Sequence, residues 1–365
     1  MVKEYISDKQ GICLIILFMI GSNLIVGISG EAKENSWISV ILGVVLALPA
    51  VIIYARLLSL YPHKDLFDIL MEVFGGILGR ILCIVYIWFA FHLGTLVFRN
   101  YLEFTSNVVF PDMPAWVLPL FLVPLISWVV KAGIEVLGRC SEFLIIIVIS
   151  LVIFVTISLS VPKININNIL PIMYDGFTPV FKTAFAAFSF PFAESIIFTM
   201  CFSSLKTTKS PYRVYISGLI IGGFFILLAT LRNILILGAS AISQNYFPSN
   251  VAVSVIHIGD LLQRLELSVS AVLVISVFIK LSVCLLGVCN GISKIFNLND
   301  NKFLSTPIAA LMFSFSLFVY TNTMEMNEWA FAVWPYYAFL FQAILPAILI
   351  IVAEIKNRKS HAKLS

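Results

Sequence analysis

Long apolar runs alternate with short polar segments along almost the whole chain. A helix needs roughly 20 residues to cross about 30 Å of hydrocarbon, and runs of about this length recur throughout. The pattern predicts ten transmembrane helices, at residues 11–30, 37–59, 77–106, 115–131, 141–161, 177–204, 213–238, 267–290, 305–322 and 333–354. Between the seventh and the eighth, residues 249–266 alternate apolar and polar positions at helical spacing, which predicts an amphipathic helix on the membrane surface.

Composition supports the same fold class. Of the 365 residues, 60% are hydrophobic and only 12% are charged, whereas a water-soluble domain of this size needs far more charge on its surface. The six cysteines lie in or beside apolar segments without a CxxC pair, so packing is a better interpretation than a metal or disulfide framework. We therefore predict an all-α polytopic membrane protein with one membrane domain over residues 1–365, ending in a tail at 355–365.

The positive charges predict the orientation of the chain. Of the 23 lysines and arginines, 16 fall in segments on the side that carries both termini, four fall on the opposite side and three lie within predicted spans. Cytoplasmic loops carry the excess of basic residues, so both termini are predicted to be cytoplasmic. The net charge of +4 is explained by topology and does not indicate nucleic-acid binding.

Motifs of soluble enzymes do not occur in the sequence. There is no P-loop, HExxH or GxSxG pattern, and the four histidines are scattered without ligand spacing. We expect no catalytic activity, no cofactor and no metal.

Two predicted spans contain helix-breaking residues at corresponding places, each being the first of a group of five. Gly21 and Ser22 interrupt the second half of span one, and span six contains Pro191 with Glu194 almost one turn later. Paired interruptions of this kind are typical of inverted-repeat transporters, whose unwound backbone binds substrate near the membrane midplane. Glycine and proline also serve ordinary helix packing in membranes, which stays open for span one. A carboxylate in lipid needs a partner, a cavity or a proton, so Glu194 favours a site.

Several stretches together give the chain a recognisable likeness. They are the break at Gly21–Ser22 followed by ENSWISVILG, the Arg99-x-x-x-Glu103 pattern, KAGIEVLGRCSE, NNILPIMYDG, FPFAE, GDLLQRLE and the basic tail. In order and spacing the chain resembles the endospore germination permeases, the B subunits of spore germinant receptors, which are similar to amino acid–polyamine–organocation transporters. The resemblance covers nearly the whole length.

The resemblance implies a fold, partners and a site. The fold would have ten helices in two inverted five-helix repeats, at about 11–161 and 177–354, with helices one and six discontinuous. The protein would sense a small nutrient, commonly an amino acid, beside an A subunit and a lipoprotein C subunit in the spore inner membrane. Family position places the pocket at Gly21, Ser22, Leu93, Pro191, Phe192, Lys280 and Cys284, to which the physical argument above adds Glu194.

Two residues depart from the family pattern. Relatives usually have a glycine at or near Phe192, and a phenyl ring there is expected to shrink the pocket or stack on the ligand. Lys280 lies about 13 residues inside span eight, too deep to reach water easily. Its ammonium could pair with Glu194, bind a ligand carboxylate, or take the place of a coupling sodium ion.

Other charges inside the predicted spans have simpler interpretations. Arg99 and Glu103 are four residues apart on one helix face and are expected to form a structural pair. Three functions remain open from the sequence: a nutrient-sensing receptor subunit, an ion-coupled amino-acid transporter, and a scaffold that binds no ligand. The resemblance favours the first.

Overall fold

The computed structural model describes residues 5–28, 30–155, 163–205, 207–255 and 266–364, without the side chains of 22–26, 30, 266 and 359–364. The chain folds into α-helices α1 (Asp8–Val26), α2 (Ser36–Leu60), α3 (Leu66–Phe74), α4 (Gly76–Phe104), α5 (Val117–Ala132), α6 (Ile134–Ile153), α7 (Phe177–Ala187), α8 (Ser210–Gln244), α9 (Pro248–Ser254), α10 (Glu266–Ile295), α11 (Ser305–Ser316), α12 (Thr323–Glu328), α13 (Trp334–Phe339) and α14 (Leu345–Leu364). Short 3₁₀ or π-helical turns occupy Gly30–Asn35, Thr105–Val109, Ile166–Ile169, Phe188–Phe192, Ala193–Met200, Phe202–Ser204, Lys302–Leu304, Trp329–Val333 and Leu340–Ile344.

Within the described part of the chain, seven helical segments are long and apolar enough to cross a membrane. They are Glu31–Leu60, Gly76–Val109, Ile134–Ile153, Phe177–Met200, Ser210–Gln244, Leu267–Ile295 and Thr323–Arg358. We call Phe177–Met200 the broken span and Thr323–Arg358 the terminal helix. Helices α1, α5 and α11 lie at three further predicted spans but are shorter, with 19, 16 and 12 residues. The prediction of an all-helical, multi-pass membrane protein is thus confirmed.

Three local predictions need correction. Helix α1 runs through Gly21 without a break and ends where Gly27 adopts a φ of +69°, a backbone conformation that suits glycine. Residues 66–74, predicted to be a connection, form α3, whose N-terminus is closed by a capping box between Asp65 and Asp68. The terminal helix begins ten residues before the predicted start at 333, because Asn322 caps it by accepting a hydrogen bond from the Glu325 N–H.

Two further predicted segments differ in the structure or lie partly outside it. The tail predicted at 355–365 continues as α-helix to Leu364. Of the predicted surface helix at 249–266, only the start is described, as the short helix α9, and residues 256–265 lie outside the described chain.

The broken span and α10 form the centre of the bundle. In each of their apolar windows 83% of the residues are buried, against 33% for α6 and for the terminal helix. Aromatic and aliphatic side chains from α1, α2, α4 and α8 pack around them into one continuous core. A polar residue on either central segment is therefore far from water in every direction.

Ion pairs define the two ends of the bundle. At the first end, Asp8 binds Arg213, and Glu354 on the terminal helix binds Arg56 at the end of α2. The N-terminal strand-like residue Ile6 also pairs with Leu205 there. We call this the basic end, after Arg213 and Arg56. At the opposite end, two exposed ion pairs join loops, Glu31–Lys182 and Lys33–Asp175.

Candidate functional site

The broken span loses its α-helical geometry at its centre. Pro191 has no N–H to donate, and Phe190 is extended, with φ of −143° and ψ of 107°. The turn that follows, Ala193–Met200, is a 3₁₀ helix of eight residues, longer than such turns usually are. The prediction of a discontinuous sixth span is confirmed by this backbone. Backbone carbonyl groups that would accept hydrogen bonds within an α-helix become available to other donors.

Glu194 and Lys280 meet at this break. Their side chains, both fully buried, form an ion pair through Glu194 Oε2 and Lys280 Nζ. The ammonium also lies 4.7 Å from the ring centroid of Phe18 on α1 and 5.2 Å from that of Phe190, within the range of cation–π attraction. The second oxygen, Glu194 Oε1, has no hydrogen-bond partner among the described residues. A buried carboxylate oxygen in this state is costly, so it is available to a donor that enters the site.

A small cavity of about 20 Å³ lies beside Glu194. Its walls are mostly apolar and come from α4, the broken span and the chain around the start of the terminal helix: Leu93, Leu96, Val97, Asn100, Phe190, Glu194, Tyr320, Met326, Trp329, Ala330 and Trp334. A cavity of this size has room for about one water molecule. A larger ligand can enter only if one of the walls moves.

The predicted site residues do not all reach this cavity. Leu93 and Glu194 line the cavity, and Lys280 binds Glu194 without lining the cavity itself. Gly21 lies where α1 crosses α10, and a Cβ atom there would be 2.5 Å from Ser276 Cβ, so this glycine serves close packing. Cys284 is buried against α4. The side chain of Ser22 lies outside the described residues.

Phe192 differs from its expected place. Its ring faces α2 and α8, where Cβ atoms added at Gly43 and Gly223 would lie 3.2 Å and 3.7 Å from ring carbons. The ring is not among the groups that line the cavity. The two glycines accommodate the phenyl ring in the core, so it neither shrinks the cavity nor offers a surface for stacking.

The second predicted pair, Arg99 with Glu103, forms a connected network at the end of α4. Arg99 Nη2 lies 2.6 Å from Glu103 Oε1, and Arg99 Nη1 donates to the Ser316 and Leu317 carbonyls, both at 3.3 Å, where α11 ends. Glu103 Oε2 accepts a hydrogen bond of 2.6 Å from the Thr323 hydroxyl. The pair therefore ties three segments together, in agreement with a structural role.

Several residues at the cavity have polar groups that the sequence reading did not single out. Trp329 and Trp334 line the cavity, and each has a buried indole Nε1 without a partner in the described chain. His92 on α4 stacks on Trp88 at 5.5 Å and meets Trp329 and Tyr337 at right angles. The run WAFAVW in the sequence carries both indoles, five residues apart, but the predicted span starts at 333, between Trp329 and Trp334.

Comparisons with known proteins agree with these features. Residues 5–324 match the family described as spore germination protein. The chain is 26% identical to spore germination protein KB of Bacillus subtilis (strain 168), over 98% of this chain and 97% of that protein. It is 24% identical to spore germination protein YndE of the same organism, over 80% and 81% of the two chains.

The architecture also resembles a solved transporter. The structure of Mhp1, a nucleobase-cation-symport-1 family transporter, in a closed conformation with bromovinylhydantoin bound, superposes with a TM-score of 0.73 over 95% of this chain and 78% of that one. At 11% identity this likeness establishes the fold alone. With a family match over most of its length and a transporter-like helical bundle around a broken span, the chain belongs to the spore germination protein family of membrane permeases.

Proposed function

We propose that this protein is the nutrient-sensing membrane subunit of a spore germinant receptor, and that it binds a small zwitterion, an amino acid, beside Glu194. The observation that carries the proposal is Glu194 Oε1, a fully buried carboxylate oxygen without a partner in the described chain, on a residue that lines a mostly apolar cavity. Such an oxygen suits a ligand ammonium group, and the apolar walls suit an uncharged side chain.

The predicted pocket residues have separate roles in this proposal. Pro191 opens the backbone, Glu194 binds the ligand amine, and Leu93 contacts its side chain. Lys280 binds Glu194 and provides a positive charge near a ligand carboxylate. Gly21, Phe192 and Cys284 would shape the surrounding packing, Gly21 where α1 crosses α10 and Phe192 by placing its ring against α2 and α8. Ser22 remains a predicted pocket residue.

The topology, the membrane location and the partner subunits belong to the same proposal. The chain would have ten transmembrane helices in two inverted repeats, the three shorter helices completing the count, and both termini in the cytoplasm. It would lie in the spore inner membrane and pass the ligand-induced change to A and C subunits. The relatives of this family are named spore germination proteins, which supports this assignment.

A second function, ion-coupled transport of an amino acid, is favoured by one observation. Two clefts at the basic end, of about 330 and 920 Å³, are both lined by Asn290, and the smaller one is also lined by Cys201, whereas the cavity beside Glu194 measures about 20 Å³. Wide clefts at one end of the bundle, beside a nearly filled centre, are expected of an alternating-access transporter that faces one side of the membrane.

Binding and uptake can be separated in one experiment. The protein, co-expressed with its operon partners, is reconstituted in proteoliposomes, and tritiated L-alanine, L-valine, L-leucine and L-asparagine are followed. Sensing predicts saturable binding without accumulation, lost in Glu194→Gln. Accumulation driven by an ion gradient would instead establish transport, and binding that survives Glu194→Gln would remove the carboxylate from the site.

A further inference from the structure

The terminal helix is joined to the broken span by buried hydrogen bonds that no sequence motif indicates. Gln342 Nε2 donates to the Ser189 carbonyl at 2.9 Å, and the Ser189 hydroxyl donates to the Pro335 carbonyl at 3.1 Å. Tyr54 of α2 donates to the Ala193 carbonyl, at 3.3 Å, and to the Gln342 carbonyl. The side chains of Gln342, Ser189 and Tyr54 are all fully buried.

These bonds replace what the helix break removes. Because Pro191 has no N–H and Phe190 is extended, the carbonyls around the break need donors from other elements. The terminal helix also departs from regular α-helical hydrogen bonding, at Pro335 and at the π-helical turn Leu340–Ile344. Gln342 lies where the two irregular stretches face each other. Its amide N–H donates to the Ser189 carbonyl, and this acceptor fixes which end of the amide faces it, while Gln342 Oε1 has no partner in the described chain.

The same two segments form opposite walls of the cavity. Glu194 follows Ser189 by five residues on the broken span, and Trp334 and Ala330 precede Gln342 on the terminal helix. Any shift of the Ser189 carbonyl changes where the Glu194 carboxylate projects, since few residues separate them.

We infer that Gln342 is a positioning residue of the ligand site. It holds the backbone from which Glu194 projects and makes the broken span and the terminal helix move as one unit. It does not line the cavity itself. This inference rests on the proposed function for its effect on ligand affinity, but its mechanical part concerns the described contacts alone.

The chain offers a matched control at the other end of the broken span. The side-chain amide of Asn290 also binds a main-chain oxygen of this span, since Asn290 Nδ2 donates to the Met200 carbonyl at 3.0 Å. Asn290 is half-buried, and its Oδ1 accepts a hydrogen bond of 2.6 Å from Asn301 Nδ2. Gln342→Met and Asn290→Leu each remove a side-chain amide donor and replace it with an apolar side chain of similar length. If the bonds matter only for stability, the two variants will behave alike.

Ligand binding provides the first readout. For the panel amino acid that the parent protein binds in proteoliposomes, Gln342→Met is expected to weaken binding about tenfold or more, as loss of a supporting contact around a binding group commonly does. Asn290→Leu is expected to leave the dissociation constant within about twofold. Equal dissociation constants for parent and Gln342→Met, with binding still lost in Glu194→Gln, would overturn the inference and leave the proposed function standing.

A second readout needs no ligand. The apparent melting temperatures of Gln342→Met, Glu194→Gln and the double variant form a cycle, and the inference expects the two shifts to be non-additive. The matching cycle of Asn290→Leu with Glu194→Gln is expected to be additive. If the parent protein binds no amino acid, the proposed function fails and these cycles still decide the inference: additive shifts in both would overturn it.

Discussion

In the part of the chain that the structure describes, two ion pairs are buried on both sides, and they differ in what surrounds them. In the pair at the end of α4, Arg99 and Glu103 are bound by the Ser316 carbonyl and the Thr323 hydroxyl as well as by each other. The central pair, Glu194 with Lys280, leaves one carboxylate oxygen without a partner in the described chain. Both oxygens of the Glu103 carboxylate are bound, although Arg99 Nε has no hydrogen-bond partner in the described chain. A carboxylate whose two oxygens are bound is part of the scaffold, whereas one with an unbound oxygen is available to a ligand.

The geometry around each pair explains the difference. Arg99 and Glu103 are on one regular helix, four residues apart, with loop carbonyls and hydroxyls close by. Glu194 and Lys280 come from two segments that cross at the bundle centre, where the neighbours are the rings of Phe18 and Phe190. Apolar neighbours cannot complete the hydrogen bonding of a carboxylate.

The largest expected effect comes from dividing the central pair. Lys280→Met leaves a buried carboxylate without its cation and should destabilise the protein by about 3–5 kcal/mol. The double variant Glu194→Gln with Lys280→Met removes both charges and should recover most of that loss, yet bind no amino acid. Apparent melting temperatures in nanodiscs measure the stability. A double variant no more stable than Lys280→Met would show that the charges are not coupled.

Dividing the outer pair should have a smaller and purely structural effect. Glu103→Gln weakens the bonds to Arg99 and Thr323 and should cost about 1.5–3 kcal/mol, the usual contribution of a hydrogen bond to a charged group. Ligand affinity of the folded protein should stay within about threefold of the parent value, because Glu103 does not line the cavity. Loss of binding in a well-folded Glu103→Gln protein would make the outer pair part of the site.

Filling the cavity tests whether it is the place where the ligand binds. Ala330 lines the cavity from the terminal helix, and Ala330→Leu adds a side chain that occupies its volume. Binding of the panel amino acid should fall about tenfold or more, with a stability change below about 1 kcal/mol because an adjacent void accepts part of the added volume. Ala347→Leu, farther along the same helix, is the matched control. Equal affinities of the two variants would place the ligand elsewhere.

A third charged cluster, at the start of α3, should give the smallest effect and a pH dependence. Asp65 lies 3.8 Å from Lys294, which also binds Asp68 at 2.6 Å. Burial, and next the charge of Asp68, raises the pKa of the Asp65 carboxyl to about 6, with Lys294 opposing the shift.

The sign of that dependence follows from the direction of the shift. Between pH 4 and pH 6, roughly, the folded protein holds a proton on Asp65 more tightly than the unfolded chain does, so stability falls as the pH rises through this window and levels off above it. Melting temperatures measured across this range should show the fall. Asp65→Asn keeps an N-cap acceptor for α3 and should abolish it. If the melting temperature of Asp65→Asn still falls over this pH range, another titrating group causes the fall.

Sequence by itself determined the class of the fold and one half of the site. Long apolar runs can cross a membrane only as helices, since lipid offers no partners for the backbone. Lipid also offers no partner for a charge, so Pro191 with Glu194 indicated a helix break beside a site. Lys280 indicated a buried ion pair or a ligand carboxylate, because an ammonium so deep in a span needs an anion. Each of these conclusions depends on local composition and on the solvent that surrounds it.

Tertiary structure decided which groups meet. The orientation of Phe192 depended on Gly43 and Gly223, and the polar wall of the cavity depended on a helix that begins at Thr323 instead of at 333. The bond from Gln342 to Ser189 joins residues 153 positions apart, and no local pattern predicts such a contact. Periodicity shows which face of a helix is apolar, but only packing in three dimensions decides whether a buried carboxylate is fully bound or has an oxygen free for a ligand.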